Sequence, residues 1–169
     1  MSKPSKEHWH GAKRVLRYIK GTVNYGLVFE GINAQNINGS TVSWCSKRQP
    51  CVTRSTTEAE YVALSHATQE IVWLRRLLND IGEKQDQPSI MNEDNQGAIE
   101  LVSNNPRFHN RTKHIDVAYH FVREKVGDKS INVNYCSTDK MLADVMRKSL
   151  PRQTFQKFRD MLNVKEILV

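Results

Sequence analysis

A long amphipathic segment near the middle of the chain constrains the fold most. Between Thr56 and Ile81, apolar residues recur at alternating steps of three and four residues: Leu64, Ala67, Ile71, Leu74, Leu78 and Ile81. This period places them on one face of an α-helix, and that face has to pack against another layer of structure. Ser55 and Glu58 form an S-x-x-E capping box that predicts the start of the helix, and Gly82 predicts its end.

Shorter elements alternate along the rest of the chain. Periodicity and turn residues predict helices at 5–20, 96–102, 112–126, 139–148 and 152–162, and strands at 25–30, 41–46, 88–94 and 130–136. Helices and strands that are interleaved in this way predict an α/β fold, built on a mixed sheet with flanking helices.

The charge balance of the chain points to a polyanionic partner. Its 169 residues carry 25 Lys and Arg against 18 Asp and Glu, a formal net charge of +7. Nucleic acid is the first candidate for such a partner, and an ordinary solvated basic surface is the alternative. No stretch approaches the ~20 apolar residues of a membrane span, and the N-terminus lacks the apolar core of a signal peptide. We therefore expect an intracellular protein with no membrane partner.

Two carboxylates of the central region are candidate cation ligands. Glu60 is in register with the apolar stripe of the long helix, so it points either toward the core or, at the rim of the first turn, toward water. Asp94 ends a predicted strand, where α/β sheets place ligands, although Asp is also a good N-cap for the helix that follows. Alternation along the strand turns Glu93 to the opposite face.

A third candidate carboxylate is Asp144, which lies in the apolar run from Met141 to Met146. It is either part of ordinary amphipathic patterning or an inward-facing ligand. Taken with Glu60 and Asp94, it gives a basic α/β domain the clustered acids that two-metal phosphodiester hydrolysis needs. Mg²⁺ uses few protein carboxylates and completes its octahedron with water and phosphate.

Four sequence blocks resemble the ribonuclease H domain of copia-type retrotransposon Pol polyproteins. They are STTEAEYVAL at 55–64, EDNQGA at 93–98, RTKHID and YHFVRE between 111 and 124, and MLAD at 141–144. A further segment at 8–22 resembles the end of the preceding reverse transcriptase. The resemblance covers nearly the whole chain, and it implies a reverse transcriptase tail at 1–30 and an incomplete ribonuclease H-like domain with a C-terminal helix at 31–169.

This resemblance implies a site and a substrate. The metal-binding acids of the family carry over onto Glu60, Asp94 and Asp144, with Mg²⁺ or Mn²⁺ as the implied cofactor. The implied substrate is the RNA strand of an RNA–DNA hybrid. The nucleic-acid contacts are predicted on basic residues of one segment: Arg111, Lys113, His114 and Arg123. The family further implies a longer Pol polyprotein with reverse transcriptase and integrase, located in the cytoplasm or in a virus-like particle.

The chain departs from the family pattern after residue 30. The family has a first ribonuclease strand, roughly GYSDADWAGD, and then a second strand, whereas here Ser40 runs directly into the strand predicted at 41–46. No Asp or Glu occurs from Gly31 to Thr57, so nothing nearby replaces the first catalytic Asp. We expect a ribonuclease H-like sheet truncated by its first two strands, weak metal binding and cleavage near background. The alternative is a non-catalytic basic module that binds nucleic acid, or an unselected fragment of an element.

Overall fold

A computed structural model describes residues 3–29, 40–49, 51–103 and 113–167, with the backbone alone for 113–116. The chain divides into two compact units. Unit 1 combines Met1–Lys47 with Leu142–Val169, and unit 2 is Arg48–Met141. The domain boundary after residue 30 stays a prediction from the family resemblance.

Helices and short strands alternate along the described residues, which confirms the predicted α/β class. The helices are α1 (Lys6–Gly21), α2 (Thr56–Asp80), α3 (Gln96–Ser103), α4 (Lys113–Gly127) and α5 (Arg152–Met161). The strands are β1 (Tyr25–Leu27), β2 (Ser89–Glu93), β3 (Ile131–Tyr135) and β4 (Val164–Glu166). Two 3-10 helices span Thr138–Lys140 and Leu142–Met146. No helix in these described ranges has the length and apolar character required to cross a bilayer.

Unit 2 is built on a parallel pair of strands. β2 runs beside β3, with Ser89 opposite Ile131 and Glu93 opposite Tyr135. Parallel neighbours need a long connection, and α3 and α4 lie in that connection. Both helices pack against α2. Their apolar faces and the strands form one buried core: Tyr61, Leu64, Met91, Ala98, Val102, Tyr119, Val122 and Ile131.

The contact between α2 and α4 is aromatic at its centre. The rings of Tyr61 and Tyr119 lie 4.2 Å apart between centroids, and the Tyr61 hydroxyl donates to the Tyr119 carbonyl at 3.3 Å. Burial raises the pKa of Tyr61 to about 12, against the opposing effect of the Arg123 charge. The first turns of α2 are therefore anchored to α4 through a neutral, buried phenol.

Unit 1 is built on an antiparallel pair of strands. β1 pairs with β4, with Tyr25 opposite Glu166, and α5 leads into β4 through Asn163 in the left-handed region at φ 60°. The side-chain amide of Asn163 donates to the Val28 carbonyl and to the Ser40 hydroxyl. Phe158 of α5 is buried. These long-range hydrogen bonds hold the turn after α5 against the segment that follows β1.

The structure differs from the predicted sheet. The described strands form two separate two-stranded sheets, one parallel and one antiparallel, in place of one mixed sheet. The strand predicted at 41–46 is wrong, since this segment has no regular structure and exposes Val42 and Trp44. Its alternating pattern needs a neighbouring strand to become a ladder, and the described residues do not supply one.

The structure also differs from the prediction in three shorter segments. The helix predicted at 139–148 is wrong, because the segment consists of two 3-10 turns, Thr138–Lys140 and Leu142–Met146. β4 was not predicted, since three residues are too few to show a period. The predicted strand at 25–30 is regular only over Tyr25–Leu27. The remaining predicted helices and strands are confirmed within one or two residues at each end.

Candidate metal centre

The first turn of α2 fixes the direction in which Glu60 points. Ser55 is the N-cap, and its hydroxyl accepts from the Glu58 backbone N–H at 3.1 Å. The Glu58 carboxylate accepts from the backbone N–H of Arg54 at 2.6 Å, whereas a full capping box requires the N–H of Ser55. The predicted box is therefore half formed. The start of α2 is nevertheless held at two points, and Glu60 follows one turn later.

A second fixed junction lies between β2 and α3. The Asn95 side-chain oxygen accepts from the Ala98 N–H at 3.0 Å, so Asn95 is the N-cap of α3. The Asn95 N–H in turn donates to the Glu93 carboxylate at 3.0 Å. The alternative of Asp94 as the N-cap is thereby wrong. Asp94 instead accepts from the Thr138 hydroxyl at 3.0 Å.

Gly97 allows the two junctions to approach each other. The Thr57 hydroxyl donates to the Asn95 side-chain oxygen at 3.4 Å, which links the first turn of α2 to the N-terminus of α3. A Cβ atom at Gly97 would lie 3.1 Å from Thr57 Oγ1 and 3.2 Å from Thr57 Cγ2 and from Asn95 Oδ1. The close packing of these two helix starts thus depends on a residue without a side chain.

The two junctions bring three carboxylates together. Glu60, Glu93 and Asp94 each offer one oxygen, and these oxygens lie within 4.8 Å of one another. Glu93 is buried, while Glu60 and Asp94 are half-buried. The prediction that Glu93 faces away was wrong. β2 ends at Glu93, so Asp94 already lies outside the strand and the alternation of side chains no longer separates the two.

The charges of this acidic cluster (Glu60, Glu93 and Asp94) favour a bound cation. Two like charges 4 Å apart repel by about 1 kcal/mol in water and by about 4 kcal/mol at an effective dielectric constant of 20. A divalent cation between the three groups replaces repulsion with attraction. Carboxylate oxygens are the donors that Mg²⁺ and Mn²⁺ prefer, and no thiolate or imidazole belongs to this group. The donor set fits the predicted cofactor.

Asp144, the third predicted ligand, belongs to unit 1. It lies in the 3-10 helix Leu142–Met146 and is buried, with one oxygen 3.1 Å from the Arg147 guanidinium and the other 2.8 Å from Lys148 Nζ. Its charge is compensated by these two cations. Of the three predicted ligands, Glu60 and Asp94 therefore lie together with Glu93, whereas Asp144 forms ion pairs with Arg147 and Lys148. A metal-binding role of Asp144 stays a prediction.

Of the four predicted nucleic-acid contacts, one has a described side chain. Arg111 lies outside the described residues, and so do the side chains of Lys113 and His114. Arg123 is described, and its Nε and Nη2 donate to the Leu101 carbonyl at 3.2 and 3.0 Å. This fork joins the last turn of α3 to α4. Binding of nucleic acid by the four residues stays a prediction.

The fold and the cluster together define a basic α/β protein with a candidate carboxylate site for a divalent cation. Its relatives include retrovirus-related Pol polyproteins of transposons. The chain is 37% identical to the one from transposon TNT 1-94 of Nicotiana tabacum over 97% of its length. It is 35% and 33% identical to those from transposons RE2 and RE1 of Arabidopsis thaliana, over 97% and 99% of its length. The chain belongs to the family of copia-type retrotransposon Pol polyproteins.

The chain corresponds to a small part of these relatives. It spans 14%, 13% and 13% of their respective lengths. The matched stretches of 188, 189 and 192 residues are longer than the chain of 169 residues, so each relative has residues in this region without a counterpart here. No protein-family model and no solved structure matches the chain.

Proposed function

We propose that the chain is an incomplete ribonuclease H-like domain of a retrotransposon Pol polyprotein, whose ancestral activity is hydrolysis of the RNA strand in RNA–DNA hybrids. The observation that carries this proposal is the acidic cluster at the junction of α2, β2 and α3. Two of its members, Glu60 and Asp94, are the positions onto which the family resemblance carries metal-binding acids. A helix and a strand end remote in sequence thus supply the predicted ligands to one place.

The cluster assigns a role to each of its residues. Glu60 and Asp94 would hold Mg²⁺ or Mn²⁺. Glu93 would add negative charge, and its carboxylate accepts a hydrogen bond from the backbone N–H of Asn95, the N-cap of α3. When bound, the metal supplies Lewis-acid stabilisation of the phosphate and lowers the pKa of its water. The Thr138 hydroxyl orients the Asp94 carboxylate by donating a hydrogen bond to one of its oxygens.

Weak activity follows from what the region lacks. The family resemblance implies a further catalytic Asp in this region, and residues 31–57 of the chain contain no acid that could replace it. Groups that act as a unit in catalysis lose orders of magnitude when one is removed. We therefore propose cleavage near background for the chain as it stands, with divalent metal bound weakly.

A second candidate function is non-catalytic binding of nucleic acid. The net charge of +7 favours it, because electrostatic attraction to phosphates needs no intact metal centre. The two functions differ in the role of the acidic cluster. Hybrid cleavage requires it, whereas binding to the phosphate backbone is weakened by any acid nearby.

Counting bound Mn²⁺ by electron paramagnetic resonance tests the proposed metal centre. The chain is titrated with Mn²⁺, and Asp94→Asn and Glu60→Gln are compared with the matched control Glu100→Gln, which removes an exposed acid from α3. We expect one saturable class of Mn²⁺ that both cluster variants lose and the control retains. Binding that is equal in all four proteins, or no saturable binding in any of them, would refute the metal centre and leave the non-catalytic function.

A further inference from the structure

Helix α1 carries an apolar stripe and a basic stripe side by side. At about 100° per residue, the apolar stripe lies within an arc of about 80° of the helix: Trp9, Ala12, Leu16 and Ile19. The basic stripe lies within a second arc of about 80°, centred about 100° from the first: Lys6, His10, Lys13, Arg17 and Lys20. The helix is therefore amphipathic, although it is polar on average.

The fold leaves the apolar stripe of α1 uncovered. No residue of α1 is buried, and Trp9, Leu16 and Ile19 are 60%, 62% and 56% exposed. The helix contacts α5 through Tyr18, whose ring meets that of Phe155 edge-on at 5.8 Å. Tyr18 lies about 140° around the helix from the centre of the apolar stripe. The contact with α5 is thus on the other side of α1.

The helix has caps but no packed face. The Ser5 hydroxyl accepts from the His8 N–H at 3.4 Å, and the Thr22 hydroxyl donates to the Tyr18 carbonyl at 2.9 Å. Caps satisfy backbone groups but bury no apolar surface. A helix of 16 residues without packing is marginally stable in water. An apolar partner for the stripe would supply the packing that the described residues do not provide.

The charges beside the apolar stripe favour an anionic partner. All residues of the basic stripe are exposed, and no described carboxylate forms an ion pair with any of them. Glu7, the single acid of α1, lies about 160° from the centre of the apolar stripe. A second copy of α1 would therefore bring no acid to the basic stripe.

Trp9 lies where the two stripes meet. Lys13 Nζ is 5.2 Å from the centroid of the Trp9 ring, so an aromatic ring and an ammonium are neighbours at this boundary. Trp is enriched where acyl chains meet headgroups, and Lys extends its charge from an apolar surface toward water. This order, from Leu16 and Ile19 through Trp9 to the cations, matches the polarity profile of a bilayer surface.

We propose that α1 binds the surface of a membrane that contains anionic phospholipids. The helix lies in the plane of the headgroups, with the apolar stripe at the acyl boundary and the basic stripe at the phosphates. The sequence-based expectation of no membrane partner rests on the lack of an apolar span, and a helix that lies on a surface needs none. The site belongs to unit 1 and does not depend on the proposed metal centre in unit 2.

Co-sedimentation with vesicles measures the contribution of charge. Vesicles of phosphatidylcholine with phosphatidylserine are compared with vesicles of phosphatidylcholine alone, and we expect strong binding only to the former. Lys13→Gln with Arg17→Gln should lower the partition coefficient roughly fivefold per cation, since each Lys or Arg near an anionic surface contributes about that factor. The control Arg76→Gln with Lys84→Gln removes two exposed cations of unit 2 and should leave the partition coefficient within experimental error.

An exchange of Leu16 and Arg17 separates amphipathicity from net charge. Leu16→Arg with Arg17→Leu keeps the composition and moves one apolar side chain about 100° away from its place in the stripe. Both residues are exposed, so circular dichroism should show unchanged helix content in water. We expect the partition coefficient to fall at least about tenfold, because transfer of one Leu side chain from water to an apolar phase contributes about that factor.

The fluorescence of Trp9 reports insertion directly. Trp44→Phe with Trp73→Phe leaves Trp9 as the only Trp of the chain. We expect its emission to shift to shorter wavelength on the anionic vesicles and to be quenched by brominated acyl chains. Unchanged emission, or vesicle binding that the exchange of Leu16 and Arg17 leaves intact, would overturn the proposal. A dimer that the exchange dissociates, or binding of a DNA duplex without binding of vesicles, would overturn it as well.

Discussion

Gly97 sets how closely α3 approaches the first turn of α2, and we predict that Gly97→Ala separates them. The new methyl group would lie 3.1–3.2 Å from two atoms of Thr57 and from the Asn95 side-chain oxygen. Neither neighbour yields easily. Thr57 is β-branched and lies inside α2, and the Asn95 oxygen is held by the Ala98 N–H and by the Thr57 hydroxyl.

The magnitude follows from opposing contributions. Alanine in place of glycine favours a helix by at most about 1 kcal/mol. Overpacking typically costs about 1–3 kcal/mol, and a disturbed N-cap costs about 0.5–2 kcal/mol. We therefore expect Gly97→Ala to lower the free energy of unfolding by about 1–3 kcal/mol. It should also weaken Mn²⁺ binding, because the same contact holds Glu60 near Asp94.

Urea unfolding followed by circular dichroism measures the effect. The matched control is Gly127→Ala at the end of α4, where a Cβ meets no atom within 4 Å. This control should raise the free energy of unfolding by about 0.5–1 kcal/mol. Thr57→Ala removes two of the three clashing atoms, so the double variant should recover part of the loss, with a coupling energy of about 0.5–3 kcal/mol.

Equal stability of the two glycine variants, with unchanged Mn²⁺ binding, would contradict the predicted close packing. If Gly97→Ala is as stable as Gly127→Ala and binds Mn²⁺ like the parent chain, the helix starts are not tightly packed. The acidic cluster would then not depend on their spacing.

Three further predictions concern the site, the core and the surface. Thr138→Val should weaken Mn²⁺ binding up to about tenfold, because a hydrogen bond to a charged group is worth about 1.5–3 kcal/mol before solvent screening. Thr138→Ser keeps the hydroxyl and should restore the affinity. Equal affinities in all three proteins would show that Asp94 does not need the hydrogen bond from Thr138. Burial raises the pKa of Tyr61 in the folded protein to about 12 from 10.0, so the free energy of unfolding should be highest below pH 10.0 and should fall by roughly 3 kcal/mol as the pH rises toward 12. Urea unfolding across this pH range should show the fall. The same fall in Tyr61→Phe would assign the effect to another group. Exposed Trp44, Val52 and Trp73 should make the chain bind anilinonaphthalene sulfonate, and no increase in dye fluorescence over a compact control protein would contradict this prediction.

The helices could be predicted because their signals are local. α2 carries six apolar residues in register and an N-cap, so its observed bounds, Thr56–Asp80, differ from the prediction by one residue at the C-terminal end. Strands depend on partners that sequence does not show. The alternating pattern at 41–46 predicts a strand correctly only when another strand lies beside it, and β4 pairs with β1 across more than a hundred residues.

The acidic cluster could be predicted in part. Glu60 and Asp94 followed from register and from the family resemblance, whereas Glu93 was placed on the wrong face by extending the strand one residue too far. The one available signal was the Asn-Gln-Gly turn at 95–97, which ends the strand before Asp94. The ion pairs of Asp144 with Arg147 and Lys148 depend on a 3-10 turn and not on the helix that the pattern predicted.

Release of labelled RNA from an RNA–DNA hybrid in Mg²⁺ tests the central claim most directly. It is measured for the chain, for the chain with the first-strand segment that the family resemblance implies inserted between Ser40 and Thr41, and for that restored chain with Asp94→Asn. We expect cleavage near background for the first, recovery by orders of magnitude in the second and loss again in the third. Robust cleavage by the unrestored chain that Asp94→Asn abolishes would show that the site is complete. A restored, folded chain without activity would contradict the ribonuclease assignment itself.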